Sequence, residues 1–286
     1  MAKNQNKKRM PVIIIFLFLI GVLVMIYPLI SRSYYDYRGN EEVNQYQEEL
    51  IQLPSAEVME RLQLGYAYNN ALLSNENISL GDPFNEEEKE EGVSAYGKSL
   101  EISEKIGTLT IPKIHMKFPV YAGTAEAILQ KGVGHMEGTS LPIGGLSTHS
   151  VLTAHRGLPE NKLFTDLDQV EIGDLFFIET IAGELAYKVI EIKVIDPTEI
   201  GALSIEKDKD LVTLLTCTPY MINSHRLLAV GERTEVPKEA QEEATDISWW
   251  DHVTSLLSEY LFIIAIALLA IILFIVRQIW KRKGRD

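Results

Sequence analysis

The chain of 286 residues has one cysteine, Cys217. With no second thiol there is no intramolecular disulfide, so the fold must stand on packing alone. No Cys-x-x-Cys or His-x-x-x-His pair is present either. A zinc centre drawn from Cys217, His155 and His225 therefore lacks the spacing that metal sites show, and no metal is expected. Glycine-rich phosphate loops are missing: Gly132, Gly134 and Gly138 stand at the wrong intervals for a dinucleotide or Walker-type turn, and no cofactor is expected. There is no internal repeat. Positive charge is scarce, with 27 Lys and Arg against 40 Asp and Glu. Nine of those basic residues sit at the two ends, leaving 18 against 39 acids between them. An acidic field of that size repels phosphate backbones and excludes a nucleic-acid partner.

Apolar residues are unevenly spread. Residues 11–30 are almost unbroken in hydrophobicity, and 260–276 form a second such run. At about 1.5 Å per residue, helices over these stretches reach roughly 30 and 25 Å, enough for a bilayer core. Lys3, Lys7, Lys8 and Arg9 precede the first, and Arg277, Lys281, Arg282, Lys283 and Arg285 follow the second. The positive-inside rule then places both ends in the cytoplasm and the middle outside the cell membrane. Trp249, Trp250 and Trp280 flank the second run as interfacial aromatics do. A cleaved signal peptide is the alternative for the first run, but it ends in Tyr27-Pro28-Leu29-Ile30 without a small-x-small cleavage site.

Between the two runs the pattern changes several times. Residues 31–73 read as a helical stalk or collar, broken at Pro54, with Ser55 as the expected N-cap of a helix over 56–73. Residues 74–103 are rich in Glu, Gly, Asn and Ser and read as a long mobile loop. Inside it Asp82-Pro83-Phe84 is unusual, because an aromatic beside a rigid turn and an acid has little place in a plain linker. From 104 to 235 short β-branched runs dominate: 107–111, 116–121, 150–154, 174–181 and 184–195, with a helical turn at 125–130. Seven or more short strands in such a length indicate a compact β-barrel or sandwich. Residues 236–259 read as an acidic linker leading to the second membrane run, and 277–286 as a basic tail.

The candidate chemistry lies at strand ends. Leu211 to Thr216 form an apolar, β-branched strand that delivers Cys217 at its tip, and Thr218-Pro219 stops it. Arg226 then opens the apolar run Leu227 to Val230, so thiol and cation fall at the same end of neighbouring strands. A lone cysteine is more often an inert buried one. As a nucleophile it needs the thiolate form, which a nearby imidazolium favours. Of six histidines, His155 is the best placed, following the strand 150–154 directly and preceding Arg156-Gly157. His225 reads as a solvated residue of the return loop, His252 lies at the membrane boundary, and His115, His135 and His149 read as surface or satisfied loop histidines. Arg226 offers a rigid fork of donors suited to an oxyanion or a substrate carbonyl.

These residues resemble a known family. Thr213-Leu214-Leu215-Thr216-Cys217 is similar to the Thr-Leu-x-Thr-Cys signature of sortases, the cysteine transpeptidases of Gram-positive surfaces. Asn223 to Leu228 resembles their arginine strand, and Leu152 to Gly157 their histidine motif. The resemblance implies an eight-stranded sortase β-barrel over 104–235 with Cys217 as nucleophile, His155 as general acid and base, and Arg226 stabilising the substrate. Class C, pilin-specific sortases are also similar in having a second membrane segment and a lid carrying Asp-Pro-aromatic. Carried over, Asp82 pairs with Arg226, Pro83 shapes the turn and Phe84 covers Cys217. Many relatives have tryptophan at that place; phenylalanine lacks the indole donor, so a looser lid is expected. The implied partners are pilins bearing Leu-Pro-x-Thr-Gly-like sorting signals and acceptor lysines. A housekeeping sortase that anchors proteins to the wall, and a non-catalytic membrane-tethered binding module, are the alternatives.

Overall fold

The β-branched runs become eight strands: β1 Lys105–Ile111, β2 Met116–Ala122, β3 Val133–His135, β4 Thr148–Thr153, β5 Leu175–Thr180, β6 Gly183–Ile195, β7 Asp210–Thr218 and β8 His225–Thr234. They close into a barrel in the order β1-β2-β3-β4-β7-β8-β6-β5. Two pairings are parallel, β2 with β3 and β4 with β7, and the rest are antiparallel. This computed structural model describes residues 6–74, 80–84, 95–158 and 161–237.

Strand side chains alternate between two faces. On the inner face Leu109, Ile111, Leu152, Phe176, Tyr187, Leu214, Leu227 and Ala229 fill the barrel. Phe176 and Tyr187 stack there with centroids 5.6 Å apart. On the outer face of β4, β7 and β8 a smaller cluster forms from Val151, Leu215 and Leu228 with Met136 and Leu203. The sheet is therefore apolar on both sides where β7 runs through it, which explains the unbroken apolar run at its sequence.

Two helices brace the barrel, α1 (Asn6–Gln52) and α2 (Ser55–Ser74). Helix α1 runs without a break from the apolar run at 11–30 into the stalk expected over 31–73. Pro54 separates the two helices as expected, although Ser55 is the first residue of α2 rather than its cap. The Pro54 carbonyl accepts the Val58 amide at 3.0 Å. Gly39 lets α1 approach β2, since a β-carbon there would lie 2.8 Å from the Phe118 ring. Asn69 of α2 is buried and makes a reciprocal pair with Leu141, accepting its amide at 2.7 Å and donating to its carbonyl at 3.2 Å.

Several expectations need correction. The loop read over 74–103 does not extend that far: Ala95–Ser99 is a 3-10 helix, and Leu100 and Ile102 belong to the core. Neither His135 nor His149 is a surface or loop residue. Both are buried strand residues, held by hydrogen bonds that meet the needs of a buried ring. His225 is exposed, but it is the first residue of β8 rather than part of the return loop. Among the described residues no helix is long and apolar enough to cross a membrane. The runs at 236–259, beyond Pro237, and 260–276, and most side chains of 11–30, lie outside the described residues.

Candidate active site

Register brings the chemistry together. β4 and β7 run parallel with Thr153 beside Leu215, and the Ala154 amide donates to the Leu215 carbonyl at 3.3 Å. Two threonines fasten the same ends: Thr153 Oγ1 donates to the Leu215 carbonyl at 3.1 Å, and Thr216 Oγ1 to the Ala154 carbonyl at 2.7 Å. Continuing that register, His155 leaves β4 level with Cys217. On the other side of β7, antiparallel pairing sets Cys217 directly against Arg226. Paired residues share a face, so thiol and guanidinium open on the same side of the sheet.

A short helix, α3 (Glu126–Leu129), supplies a residue that the sequence did not announce. The two carboxylate oxygens of Glu126 lie 3.1 and 3.3 Å from His155 Nε2. Glu126 is 29 residues from His155 and has no motif around it, so only the fold reveals the pair. Arg156, part of the Leu152–Gly157 motif, has no role assigned to it from the sequence. Its guanidinium donates to the Thr165 carbonyl at 3.1 Å, to Thr218 Oγ1 at 2.9 Å and to Asp168 at 2.6 Å, fixing the end of β7.

The segment around Asp82 occupies the cleft. Asp82 accepts from Arg226 through both oxygens, Nε at 2.8 Å and Nη2 at 2.5 Å. This is the bidentate fork geometry that favours arginine over lysine. The remaining donor, Nη1, reaches the carbonyls of Asn223 and His225, each at 3.0 Å. Phe84 lies between the two polar groups, its ring 5.6 Å from the His155 ring and 5.2 Å from the Arg226 guanidinium carbon. Together with Leu80 it packs on the outer cluster of Val151, Leu215 and Leu228.

This cover changes the thiol. Cys217 is only 5% exposed. Burial pushes its pKa up to about 11, Arg226 opposes that rise, and the Asp82 carboxylate adds to it. Burial works to lower the Arg226 pKa, but the Asp82 hydrogen bonds together with the charges of Cys217, Asp82 and Asp196 hold it above its usual range. With the segment in place, the sulfur is a poor nucleophile beside a neutralised cation.

The family model described as a sortase domain matches residues 109–234, from within β1 to the last residue of β8. A crystal structure of Streptococcus agalactiae sortase C1 is 49% identical, with a TM-score of 0.66 over 70% of this chain and 99% of that one. The chain belongs to the sortase family. Sortase C-1 of Streptococcus pneumoniae is equally similar, at 49% identity and a TM-score of 0.66, covering 69% of this chain and 100% of that chain. More distant relatives include sortase D of Bacillus subtilis, 29% identical over 42% of this chain, and sortase A of Listeria monocytogenes, 28% identical over 48%. This sortase spans 58% and 60% of the lengths of those two curated relatives. Sortases as a family are cysteine transpeptidases. Among the described residues no group of acids, histidines and cysteine has the arrangement of a metal site.

Proposed function

We propose that this sortase joins pilin subunits covalently, by transpeptidation through Cys217. The observation that carries the reading is the Asp82–Arg226 fork with Phe84 laid between Arg226 and His155, in a chain that resembles sortases C1. Among the similar structures, that of a Streptococcus pneumoniae sortase C bears on pilin substrate specificity, and another is sortase C1 of a pilus island.

The chemistry follows from the placement. Displacing Asp82 and Phe84 re-exposes Cys217 and returns Arg226 to the cleft as a free cation, both of which favour the thiolate. The sulfur attacks the threonine carbonyl of a Leu-Pro-x-Thr-Gly-like signal, and Arg226 stabilises the oxygen on which charge develops. Protonated His155, steadied by Glu126, gives its proton to the departing glycine amine as the carbon–nitrogen bond breaks, leaving a thioester. A lysine amine of a second pilin then attacks, its proton passes to His155, and an isopeptide bond forms as the thiol leaves. The apolar runs at 11–30 and 260–276 anchor the enzyme in the cell membrane with both ends cytoplasmic and the barrel outside.

Mass spectrometry of the enzyme mixed with a Leu-Pro-x-Thr-Gly-type pilin tests this. An adduct on Cys217 that discharges into lysine-linked pilin dimers is expected, and none with Cys217→Ala. Dimers formed by the Cys217→Ala protein would sink the assignment.

A further inference from the structure

We propose that Arg156 is a positioning residue for acyl transfer: by bonding Thr218 it fixes the segment that carries His155 at the height of Cys217. The proposal rests on the reading just given, since it concerns the step in which His155 protonates the departing amine.

The β4–β7 ladder stops short of the chemistry. Its last contacts are the Ala154 amide on the Leu215 carbonyl and Thr216 Oγ1 on the Ala154 carbonyl. His155 is the next residue, and β4 has already ended at Thr153. Residues 155–157 are held instead by the 3-10 segment Leu163–Gln169. The Phe164 amide donates to the His155 carbonyl at 3.1 Å, Arg156 Nε to the Thr165 carbonyl at 3.1 Å, and the Gly157 amide to Thr165 Oγ1 at 3.3 Å. The imidazole thus rides on that segment, whereas the sulfur rides on β7.

A guanidinium joins the two. Arg156 Nη1 donates to Thr218 Oγ1 at 2.9 Å, and Thr218 is the residue after Cys217. Nη2 donates to Asp168 at 2.6 Å, near the end of the 3-10 segment. Each nitrogen therefore has its own acceptor, two on the segment that holds His155 and one on the strand tip that holds Cys217. The Arg156 side chain is 8% exposed, so the bridge is shielded from water. A planar fork on three fixed acceptors has one orientation, which a lysine ammonium lacks.

Fold stability does not account for this bridge. Leu163, Phe164 and Leu167 seat the 3-10 segment in the barrel core, and β7 is paired with both β4 and β8. Each partner is anchored without Arg156. What the bridge adds is their relative height at the cleft, the quantity on which proton transfer depends. The donor must come within about 3 Å of the leaving nitrogen, and a misplacement of about 1 Å costs on the order of a hundredfold in rate. Glu126 holds the His155 ring, and Arg156 holds the backbone that carries it.

The test uses the full-length enzyme in detergent, carrying Asp82→Ala to open the cleft, and reads single-turnover acylation of Cys217 by mass spectrometry. Two donors share the Leu-Pro-x-Thr sequence: one continues through the threonine–glycine amide, and the other ends in a threonine thioester whose thiolate leaves without a proton. Thr218→Val keeps the β-branched shape and deletes the acceptor, whereas Arg156→Lys keeps the charge and loses the fork. Each should slow the amide donor by about tenfold at saturation, with the half-saturating concentration unchanged, and slow the thioester donor by less than about twofold. Thr218→Ser, which restores the hydroxyl, should keep the parent rate with both donors. Amide acylation at the parent rate in both Thr218→Val and Arg156→Lys overturns the proposal. Equal losses with the two donors overturn it as well, since a bridge that merely braces the fold would not distinguish leaving groups. Failure of both donors to acylate the Asp82→Ala parent overturns the transpeptidase reading instead.

Discussion

Asp82 holds Arg226 through both carboxylate oxygens, at 2.8 and 2.5 Å, across 144 residues of sequence. The pair is nearly dry, with side chains 13% and 9% exposed. It neutralises the cation in the cleft and places a carboxylate near the sulfur. Asp82→Ala and Phe84→Ala should each speed labelling of Cys217 by a thiol reagent at neutral pH. A fall in thiol pKa from about 11 toward the usual 8.5 to 9 bounds the gain at roughly a hundredfold. An unchanged labelling rate for Phe84→Ala would show that the segment does not shield the thiol.

Glu126 offers His155 a carboxylate that a glutamine cannot replace in charge. Glu126→Gln should lower kcat by about tenfold with KM little altered, less than the roughly 10²–10⁴-fold that the acid–base group itself contributes. Glu126→Asp should recover part of it. Steady-state kinetics on one peptide decide this, and a change confined to KM would assign Glu126 to substrate binding.

Asn69 ties α2 to the barrel by bonds to both polar groups of Leu141, in a site that is closed to solvent. Asn69→Ala leaves a buried amide and carbonyl unpaired, at a cost of about 1–3 kcal/mol. Denaturant unfolding should show a lower midpoint with little change in slope.

His135 is fully buried, its Nε2 against the Ser140 carbonyl at 2.8 Å, and burial lowers its pKa to about 4. The unfolded chain takes up a proton near pH 6.5 that the folded chain refuses. His135 therefore contributes full stability above about pH 6.5 and loses it as pH falls toward 4, at up to about 1.4 kcal/mol per pH unit. The melting temperature of a His135→Gln protein should depend less steeply on pH in that window. An identical slope would show that His135 does not titrate on unfolding.

Cys217 was legible because its strand announces itself: six apolar or β-branched residues lead to it, and a proline follows. Arg226 and His155 were legible for the same local reason, each lying at the edge of an apolar run. β3 escaped notice, since Val133–His135 is three residues long and pairs parallel with a strand that ends eleven residues earlier. Gly134 sits there so close to the Gly123 carbonyl that a β-carbon would meet it at 2.5 Å, a constraint invisible to propensity. His135 and His149 misled because polar neighbours suggested loops, whereas partners on other elements, Ser140, Ser204 and Thr213, pay their desolvation. Glu126 had no signal at all, being brought to His155 by the closure of the barrel.

Cys217 and Arg226 belong to one hairpin and meet when a turn of six residues closes. His155 comes from β4, and the bonds that seat it beside β7 join residues 62 apart. Closing that loop costs more chain entropy than closing the hairpin, and parallel pairings over such separations form slowly. The hairpin alone thus brings thiol and cation together, whereas the proton donor that acyl transfer needs depends on a pairing of residues 62 apart.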